Sequence, residues 1–305
     1  MRLEHMKIMH RLTVLIASLC TLMVVVAYFA LEGMHHSNQA LDRVYQDRVL
    51  RLQEIQKVYD AYAVHIVDTA DGATYGYRAD ERFLTLSSFK SLASALVLHR
   101  VDRGLESLDR RIPITPADII TWSPVTEKHV GGPGVSLAEL CEATITTSDN
   151  AAANLILDSY GGPAALTAYL RTLGDSVTRI DRREPELNVK HPDEPMDTTT
   201  PRAMVMNLHK LVLGDALSAA SRALLTKWLE GNTTGGKRLR AGLPDTWRVG
   251  EKTGTFQSDA NDSGVVWPPN RAPLIVSAYL ADSAVDSAAR DATLAEVGRV
   301  VRGIV

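Results

Sequence analysis

Cysteine is scarce in this sequence of 305 residues, which contains only Cys20 and Cys141. Cys20 lies in an apolar run near the N-terminus, so Cys141 has no partner in the part of the chain that we expect to fold. An internal disulfide is therefore excluded in that part. We interpret Cys141 as a small buried hydrophobic residue.

The sequence also lacks an excess of positive charge, since its formal net charge is -3 at pH 7. Binding to nucleic acid phosphates requires clustered Lys and Arg side chains, so we exclude nucleic acid as a partner. The nine histidines show neither the H-x-H nor the H-E-x-x-H spacing of zinc hydrolases. We therefore expect no metal ion and no cofactor.

One long hydrophobic run is present at residues 12–31, LTVLIASLCTLMVVVAYFAL, and it is preceded by Arg2, Lys7 and Arg11. A helix of about 20 apolar residues spans a bilayer, and a basic flank stays in the cytoplasm. The run fits a cleaved export signal and a retained membrane anchor equally well. In both cases the sequence predicts that everything after residue 31 is exported to the periplasm or the extracellular space.

The rest of the chain contains strand patterns at both ends and helical patterns in the middle. AYAVHIVDTADGATYGYRAD, at residues 61–80, alternates and turns at Asp71–Gly72, which predicts a hairpin. Helical periodicity dominates from residue 87 to about residue 229, and strand patterns return in WRVGEKTGT, SGVVW and PLIVSAYLA before a final helix. We therefore predict an α/β fold of the α+β type, in which helices flank one antiparallel sheet built from both chain ends.

These patterns also predict how the chain divides. Residues 1–37 form a leader and linker, and residues 38–305 form one domain, which is long enough to bury a sizeable core. Within it, residues 38–80 and 230–305 form a sheet subdomain, and residues 81–229 form an inserted, all-helical subdomain. We expect the active site between the two.

The stretch SSFKSLASALVLHRVDRG, at residues 87–104, places a lysine in an otherwise apolar helix. Residues three apart share a helix face, so Ser87 and Lys90 lie side by side at its N-terminal end. A hydroxyl beside an amine is a nucleophile beside a base. Such a pair also occurs by chance, because a serine is a common helix cap.

Three further stretches contain residues suited to catalysis. Ser148, Asp149 and Asn150 lie between two helical patterns, where S-D-N is also a common capping turn. Glu184 lies in a long segment, Arg182 to Asp197, that shows neither helical nor strand periodicity, and such loops are usually functional. The strand GEKTGT contains Lys252, Thr253 and Gly254, and the small glycine is expected to let a ligand approach the backbone.

Taken together, S-x-x-K, S-D-N and K-T-G in this order resemble the motif set of class A β-lactamases and penicillin-binding proteins. From about residue 40 onwards the chain resembles a class A β-lactamase, including WSPVTEKH, DRREPELN, DTTTPRA, GNTTG and RAGLP. The resemblance implies a Ser87 nucleophile that Lys90 helps to activate, and proton transfer through Ser148 near Lys252. It implies an oxyanion hole at the amides of Ser87 and Thr255, and a Glu184–Asn188 pair that activates water. In this family either the lysine or the glutamate is the base for acylation.

The resemblance also implies residues that recognise a β-lactam substrate. The substrate carboxylate is expected to meet cations and hydroxyls, and an arginine that many relatives carry on the next strand is replaced here by Ala260. Arg238 matches an alternative source of that cation. The full set of expected substrate-binding residues is Trp122, Asn150, Asn188, Arg238, Lys252, Thr253, Gly254 and Thr255.

The chain departs from the family pattern at a few positions. Phe256 stands where a glycine is common, the hairpin after it is one residue short, and Arg183 stands where the family often has tryptophan. None of these positions is a proposed catalytic group. The departure at Phe256 bears on the substrate spectrum.

Two other functions are compatible with the three motifs. A membrane-anchored D,D-peptidase would share them but would not need the glutamate of EPELN, which separates hydrolysis from lasting acylation. A non-hydrolytic β-lactam sensor would use residues 12–31 for membrane association. We favour a monomeric β-lactamase that hydrolyses penicillins and cephalosporins.

Overall fold

The computed structural model describes residues 61–305, together with Met23 and Glu32. The chain divides into two compact units, Met1–Lys57 and Val58–Val305, and the sheet and helices of the fold lie within the second. The hydrophobic run at 12–31, apart from Met23, falls outside the described residues. Among the residues that are described, no helix has the length and apolar character needed to cross a membrane.

The main sheet has five antiparallel strands in the order β2-β1-β9-β8-β7. Its first two strands precede the helical segment and its last three come after it, as the sequence predicts. Two short two-stranded sheets, β3-β6 and β4-β5, accompany it. The strands are β1 (Tyr62–Asp68), β2 (Thr74–Tyr77), β3 (Phe83–Leu84), β4 (Arg111–Ile112), β5 (Val135–Ser136), β6 (Thr198–Thr199), β7 (Arg248–Phe256), β8 (Asp259–Trp267) and β9 (Leu274–Leu280).

Most of the α-helices lie one after another between β3 and β7, and the last one closes the chain. They are α1 (Phe89–Asp102), α2 (Leu137–Thr146), α3 (Asn150–Ser159), α4 (Pro163–Thr172), α5 (Pro201–Leu208), α6 (Ala219–Glu230) and α7 (Ser287–Ile304). This arrangement confirms the α+β fold with a sheet built from both ends of the domain. The subdomain boundaries stay a prediction.

Helix α1 is the centre of the helical segment, because every residue from Phe89 to Leu98 is buried. A helix that is apolar on all sides belongs in a core, and Leu92 and Leu96 lie in the main hydrophobic cluster. The helix ends just before Gly104, which has a positive φ of 67°. A 3-10 turn, Leu86–Ser88, precedes it, so Ser87 lies in this turn rather than in the helix itself.

Several local features depend on residues close together in the chain. The hairpin turns at Asp71–Gly72 between β1 and β2, as predicted, and Ser136 and Glu139 form a reciprocal capping box at the start of α2. Cys141 is fully buried, and burial raises the pKa of its thiol to about 12. It is therefore a core residue, as its isolation in the sequence indicates.

Candidate active site

A cleft of about 390 Å³ lies beside the edge strand β7, between the sheet and the helical segment. This volume suits a small organic molecule. Most of the predicted site residues line it, and Lys90, Lys252, Gly254 and Arg238 lie behind the lining, in contact with it. The lining residues are Ser87, Thr121, Trp122, Ser148, Asn150, Glu184, Pro185, Asn188, Thr234, Thr253, Thr255 and Phe256.

Ser87 is brought to the cleft by a close contact between its turn and β7. A Cβ atom placed on Gly254 would lie 2.6 Å from the Leu86 Cβ and 3.0 Å from the Ser87 backbone nitrogen. Any larger residue would therefore push β7 away from the turn that carries Ser87. The space on this side of the glycine is filled by the protein itself. The expected approach of a ligand to its backbone stays a prediction.

Lys90 is fully buried and lies at the centre of a group of polar side chains. Its Nζ donates to the Ser148 backbone oxygen (2.8 Å) and Oγ (3.2 Å), and to Oδ1 of Asn150 (2.5 Å). It also lies 3.2 Å from Oε1 of Glu184. Burial lowers the pKa of the Lys90 ammonium, although the Glu184 carboxylate acts in the opposite direction.

Ser148 lies between two lysines. Its Oγ accepts from Lys90 at 3.2 Å and from Lys252 at 3.1 Å. Burial, and then the nearby charge of Lys90, lower the pKa of Lys252 well below its usual range. A hydroxyl flanked by two amines with lowered pKa values is suited to passing on a proton.

Hydrogen bonds fix both the side chain and the backbone of Glu184. Its Oε2 accepts from Nδ2 of Asn188 at 2.6 Å, which places the predicted pair together. Its backbone N–H donates to Oδ1 of Asn154, and its carbonyl accepts from Nδ2 of the same side chain, both at 2.9 Å. The carboxylate is thus fixed at the cleft wall facing Lys90.

The segment that carries Glu184 is closed at its two ends. Arg182 and Asp197, at its two ends, form an ion pair of 2.6 Å. The other oxygen of the buried Asp197 carboxylate accepts from the backbone N–H groups of Asp181 and Arg182. Apart from a 3-10 turn at Glu186–Asn188, the segment has the irregular backbone that its lack of periodicity indicates.

Asn150 and Trp122 form the side of the cleft opposite β7. The Asn150 side chain accepts from Lys90 and donates to the Thr121 carbonyl at 2.8 Å. Trp122 is exposed, and its Nε1 donates to the Thr147 carbonyl at 2.9 Å, so the ring stands at the rim.

Arg238 is buried behind the cleft and acts on it through Thr255. Its Nη2 donates to Oγ1 of Thr255 at 2.6 Å, and its Nη1 donates to the carbonyls of Gly254 and Asn261. Its Nε pairs with Asp291 at 2.7 Å. The guanidinium thus joins β7, β8 and α7, and it brings positive charge next to the Thr255 hydroxyl.

Three further residues complete the site. Asp149 is fully buried and caps α3, while its carboxylate also accepts from the backbone N–H groups of Val125 and Thr126. Asn154 holds the backbone of Glu184. Thr234, from the GNTTG stretch, contacts the Thr253 hydroxyl at 2.5 Å. Asp149 lies inside the S-D-N motif and Thr234 inside GNTTG, so both had a signal in the sequence, whereas the sequence reasoning missed Asn154.

Comparison with known proteins supports the same family. The model of the "Beta-lactamase enzyme family" matches residues 49–304. A second model, "Four helix bundle sensory module for signal transduction", matches residues 5–65, which lie largely outside the described part of the chain.

Individual relatives match over most of their length. The chain is 45% identical to β-lactamase OXY-2 of Klebsiella oxytoca, covering 78% of this chain and 82% of the relative. It is 47% identical to a β-lactamase of Streptomyces albus G, covering 84% and 83%. The solved structure of an ancestral class A β-lactamase superposes with a TM-score of 0.80 at 56% identity, covering 83% of this chain and 98% of that one. The chain therefore belongs to the class A serine β-lactamases, which are hydrolases of the β-lactam ring.

Proposed function

We propose that Ser87 is the nucleophile that opens the β-lactam ring and that Lys90 assists the loss of its proton. The observation that carries this proposal is the position of the Lys90 ammonium, which lies within 3.2 Å of both Ser148 Oγ and Glu184 Oε1. One buried amine thus connects the groups needed for acylation and for hydrolysis. Burial lowers the pKa of this amine, which is the direction that a proton acceptor requires.

In the acylation step, the Ser87 Oγ attacks the lactam carbonyl carbon and the ring C–N bond breaks. The leaving nitrogen takes a proton from Ser148, whose hydroxyl is replenished through Lys90 or Lys252. The backbone amides of Ser87 and Thr255 stabilise the developing oxyanion. The close approach of β7 to the Ser87 turn at Gly254 supports this role, because it brings the two amides to one region of the cleft.

In the deacylation step, Glu184 takes a proton from a water molecule that attacks the ester carbonyl, and Ser87 is released. Asn188 donates to the Glu184 carboxylate and helps to orient it. A general base has to lie within hydrogen-bond reach of the water that it activates. The double attachment of the Glu184 backbone to Asn154 supports such a fixed position.

The hydroxyls of Thr253 and Thr255 bind the substrate carboxylate. Lys252 and Arg238, buried behind them, supply positive charge. Asn150 contacts the amide of the substrate side chain. Trp122 and Phe256 provide aromatic surface at the cleft.

A glutamate variant tests the assignment of the two steps. We expect Glu184→Ala to slow deacylation by about 10²- to 10⁴-fold, or roughly 3 to 5.5 kcal/mol of barrier, because the attacking water loses its base. Acylation by Ser87 should be affected less, so the acyl-enzyme should accumulate after a burst of about one equivalent. Stopped-flow turnover and intact-mass spectrometry measure both quantities.

Glu186→Ala is the matched control, because Glu186 is an exposed carboxylate in the same loop. It should turn over at the wild-type rate, and Ser87→Ala should form no covalent adduct. A wild type that stays acylated for hours would instead identify a sensor, and an adduct on Ser87→Ala would exclude Ser87 as the nucleophile.

We also propose that the catalytic domain acts outside the cytoplasm as a monomer, with residues 12–31 as its export signal or anchor. The basic flank before that run supports export of the C-terminal remainder of the chain. Cell fractionation of the native host tests this proposal, and activity confined to the cytosol would contradict it.

A further inference from the structure

The loop residue before Glu184 makes its own contact with helix α3. Nη2 of Arg183 lies 2.5 Å from Oδ2 of Asp158, and both side chains are about half exposed, at 47% and 48%. The next loop residue, Glu184, is bound through its backbone to Asn154 of the same helix. Two consecutive loop residues therefore attach to one helix.

The two attachment points lie on one face of α3. Asn154 and Asp158 are four residues apart, so their side chains lie one above the other along the helix axis. The Arg182–Asp197 ion pair and Asn154 already hold the backbone on the two sides of Arg183. The Arg183–Asp158 contact adds an attachment one turn further along the helix and restricts the direction in which the Glu184 carboxylate enters the cleft.

We propose that the Arg183–Asp158 ion pair positions Glu184 for hydrolysis of the acyl-enzyme and makes this step sensitive to ionic strength. The inference rests on the proposed role of Glu184 as the deacylation base. Arg183 and Asp158 are positioning residues, because they act only through the backbone of their neighbour. Arg183 stands where the family often has tryptophan, a side chain that cannot form an ion pair.

The exposure of the pair explains why salt should affect it. Exposed ion pairs contribute little to stability, but salt screens their attraction strongly. Ser87 lies on a different segment, the turn before α1, and is not attached to α3 through this pair. Glu184 reaches the acylation machinery only through its contact with Lys90. Loss of the pair should therefore slow deacylation more than acylation.

The test measures the two steps separately by stopped flow, with a substrate whose turnover is limited by deacylation. In about 10 mM salt, Arg183→Ala and Asp158→Ala should each deacylate about 2- to 5-fold more slowly than wild type. The double variant should be no slower than either single variant, because both remove the same interaction. In about 1 M salt, where the screening length is about 3 Å, wild type should slow to the rate of the variants.

Lys190→Ala is the matched control. Lys190 lies in the same loop and forms an exposed ion pair with Asp282 at 2.9 Å, away from α3. This variant should keep both the wild-type rate and the wild-type response to salt. Arg183→Lys, which retains the charge, should recover part of the rate.

Three results would overturn the inference: a wild-type deacylation rate in Arg183→Ala at low salt, additive effects in the double variant, or an equal loss of acylation. Glu184→Ala is measured in parallel. If Glu184→Ala deacylates at the wild-type rate, the proposed base is wrong. If Glu184→Ala accumulates the acyl-enzyme but Arg183→Ala deacylates at the wild-type rate, only the positioning role is rejected.

Discussion

At the scale of single residues, the site depends on buried lysine side chains that donate hydrogen bonds to protein oxygens. Lys90 and Lys252 are both inaccessible to solvent, yet each donates to oxygens of Ser148 or its neighbours. An unpaired buried charge would be strongly unfavourable, so their partners are part of the reason that the lysines can lie there. The same burial lowers their pKa values and makes them useful as proton carriers.

Arg238 provides a prediction at this scale. Because its Nη2 supports the Thr255 hydroxyl, Arg238→Ala should weaken recognition of the substrate carboxylate by about 1.5 to 3 kcal/mol, as expected for a charged hydrogen bond. The loss should appear in kcat/KM for penicillins and cephalosporins. A β-lactam ester without the free carboxylate serves as the control. An equal loss on the ester would mean that Arg238 contributes only to the structure.

At the scale of secondary structure elements, the N-terminal caps of α2 and α3 differ in the backbone groups that they bind. Ser136 caps α2 in an exposed capping box with Glu139. Asp149 caps α3, but its fully buried carboxylate also binds the backbone at Val125 and Thr126. The second cap therefore links α3 to the loop that carries Trp122, with Ser148 and Asn150 on either side of it.

The two caps predict different consequences. Ser136→Ala should lower the free energy of unfolding by about 1 kcal/mol and leave kcat unchanged, because it removes only a helix cap. Asp149→Ala should lower the free energy of unfolding by a larger amount, because it leaves several buried N–H groups without an acceptor. It should also reduce kcat. Urea unfolding and steady-state kinetics measure both effects. An active Asp149→Ala enzyme with the stability of Ser136→Ala would contradict this view.

At the scale of the whole molecule, the sheet carries acidic side chains in its interior. Glu251 on β7 and Asp262 on β8 are both buried, and each has one carboxylate oxygen without a hydrogen-bond partner among the described residues. Arg240 pairs with Glu251 at 3.0 Å, and the Leu239 N–H donates to Asp262. Burial, and then the nearby Glu251, raise the pKa of Asp262 well above its usual range.

This shift predicts how stability depends on pH. A carboxyl whose pKa is higher in the folded state than its unfolded value of about 4 stabilises the fold at low pH and loses that contribution as pH rises. Asp262→Asn keeps an acceptor for Leu239 but cannot ionise. Relative to wild type, its free energy of unfolding should therefore increase as the pH is raised from about 4, as measured by urea titration at a series of pH values. A constant difference across these pH values would contradict the assignment.

Much of the fold is encoded in local patterns. The hairpin at Asp71–Gly72, the capping box at Ser136 and the buried helix α1 all depend on residues close together in the chain. Turn chemistry, capping and periodicity act over a few residues, so they can be recognised without knowing the fold. The three motifs and the loop with Glu184 were identified in the same way.

The sequence by itself therefore determined which elements form and which residue types are available for catalysis. Only the tertiary structure showed contacts such as Arg238 with Asp291 and Asn154 with Glu184, because these contacts join distant parts of the chain. Such contacts depend on how the sheet and the helices pack, and no local periodicity encodes that packing. Gly254 is an example of such a distant contact, because it makes room for the turn that carries Ser87. The two residues are separated in the chain by more than half the length of the domain.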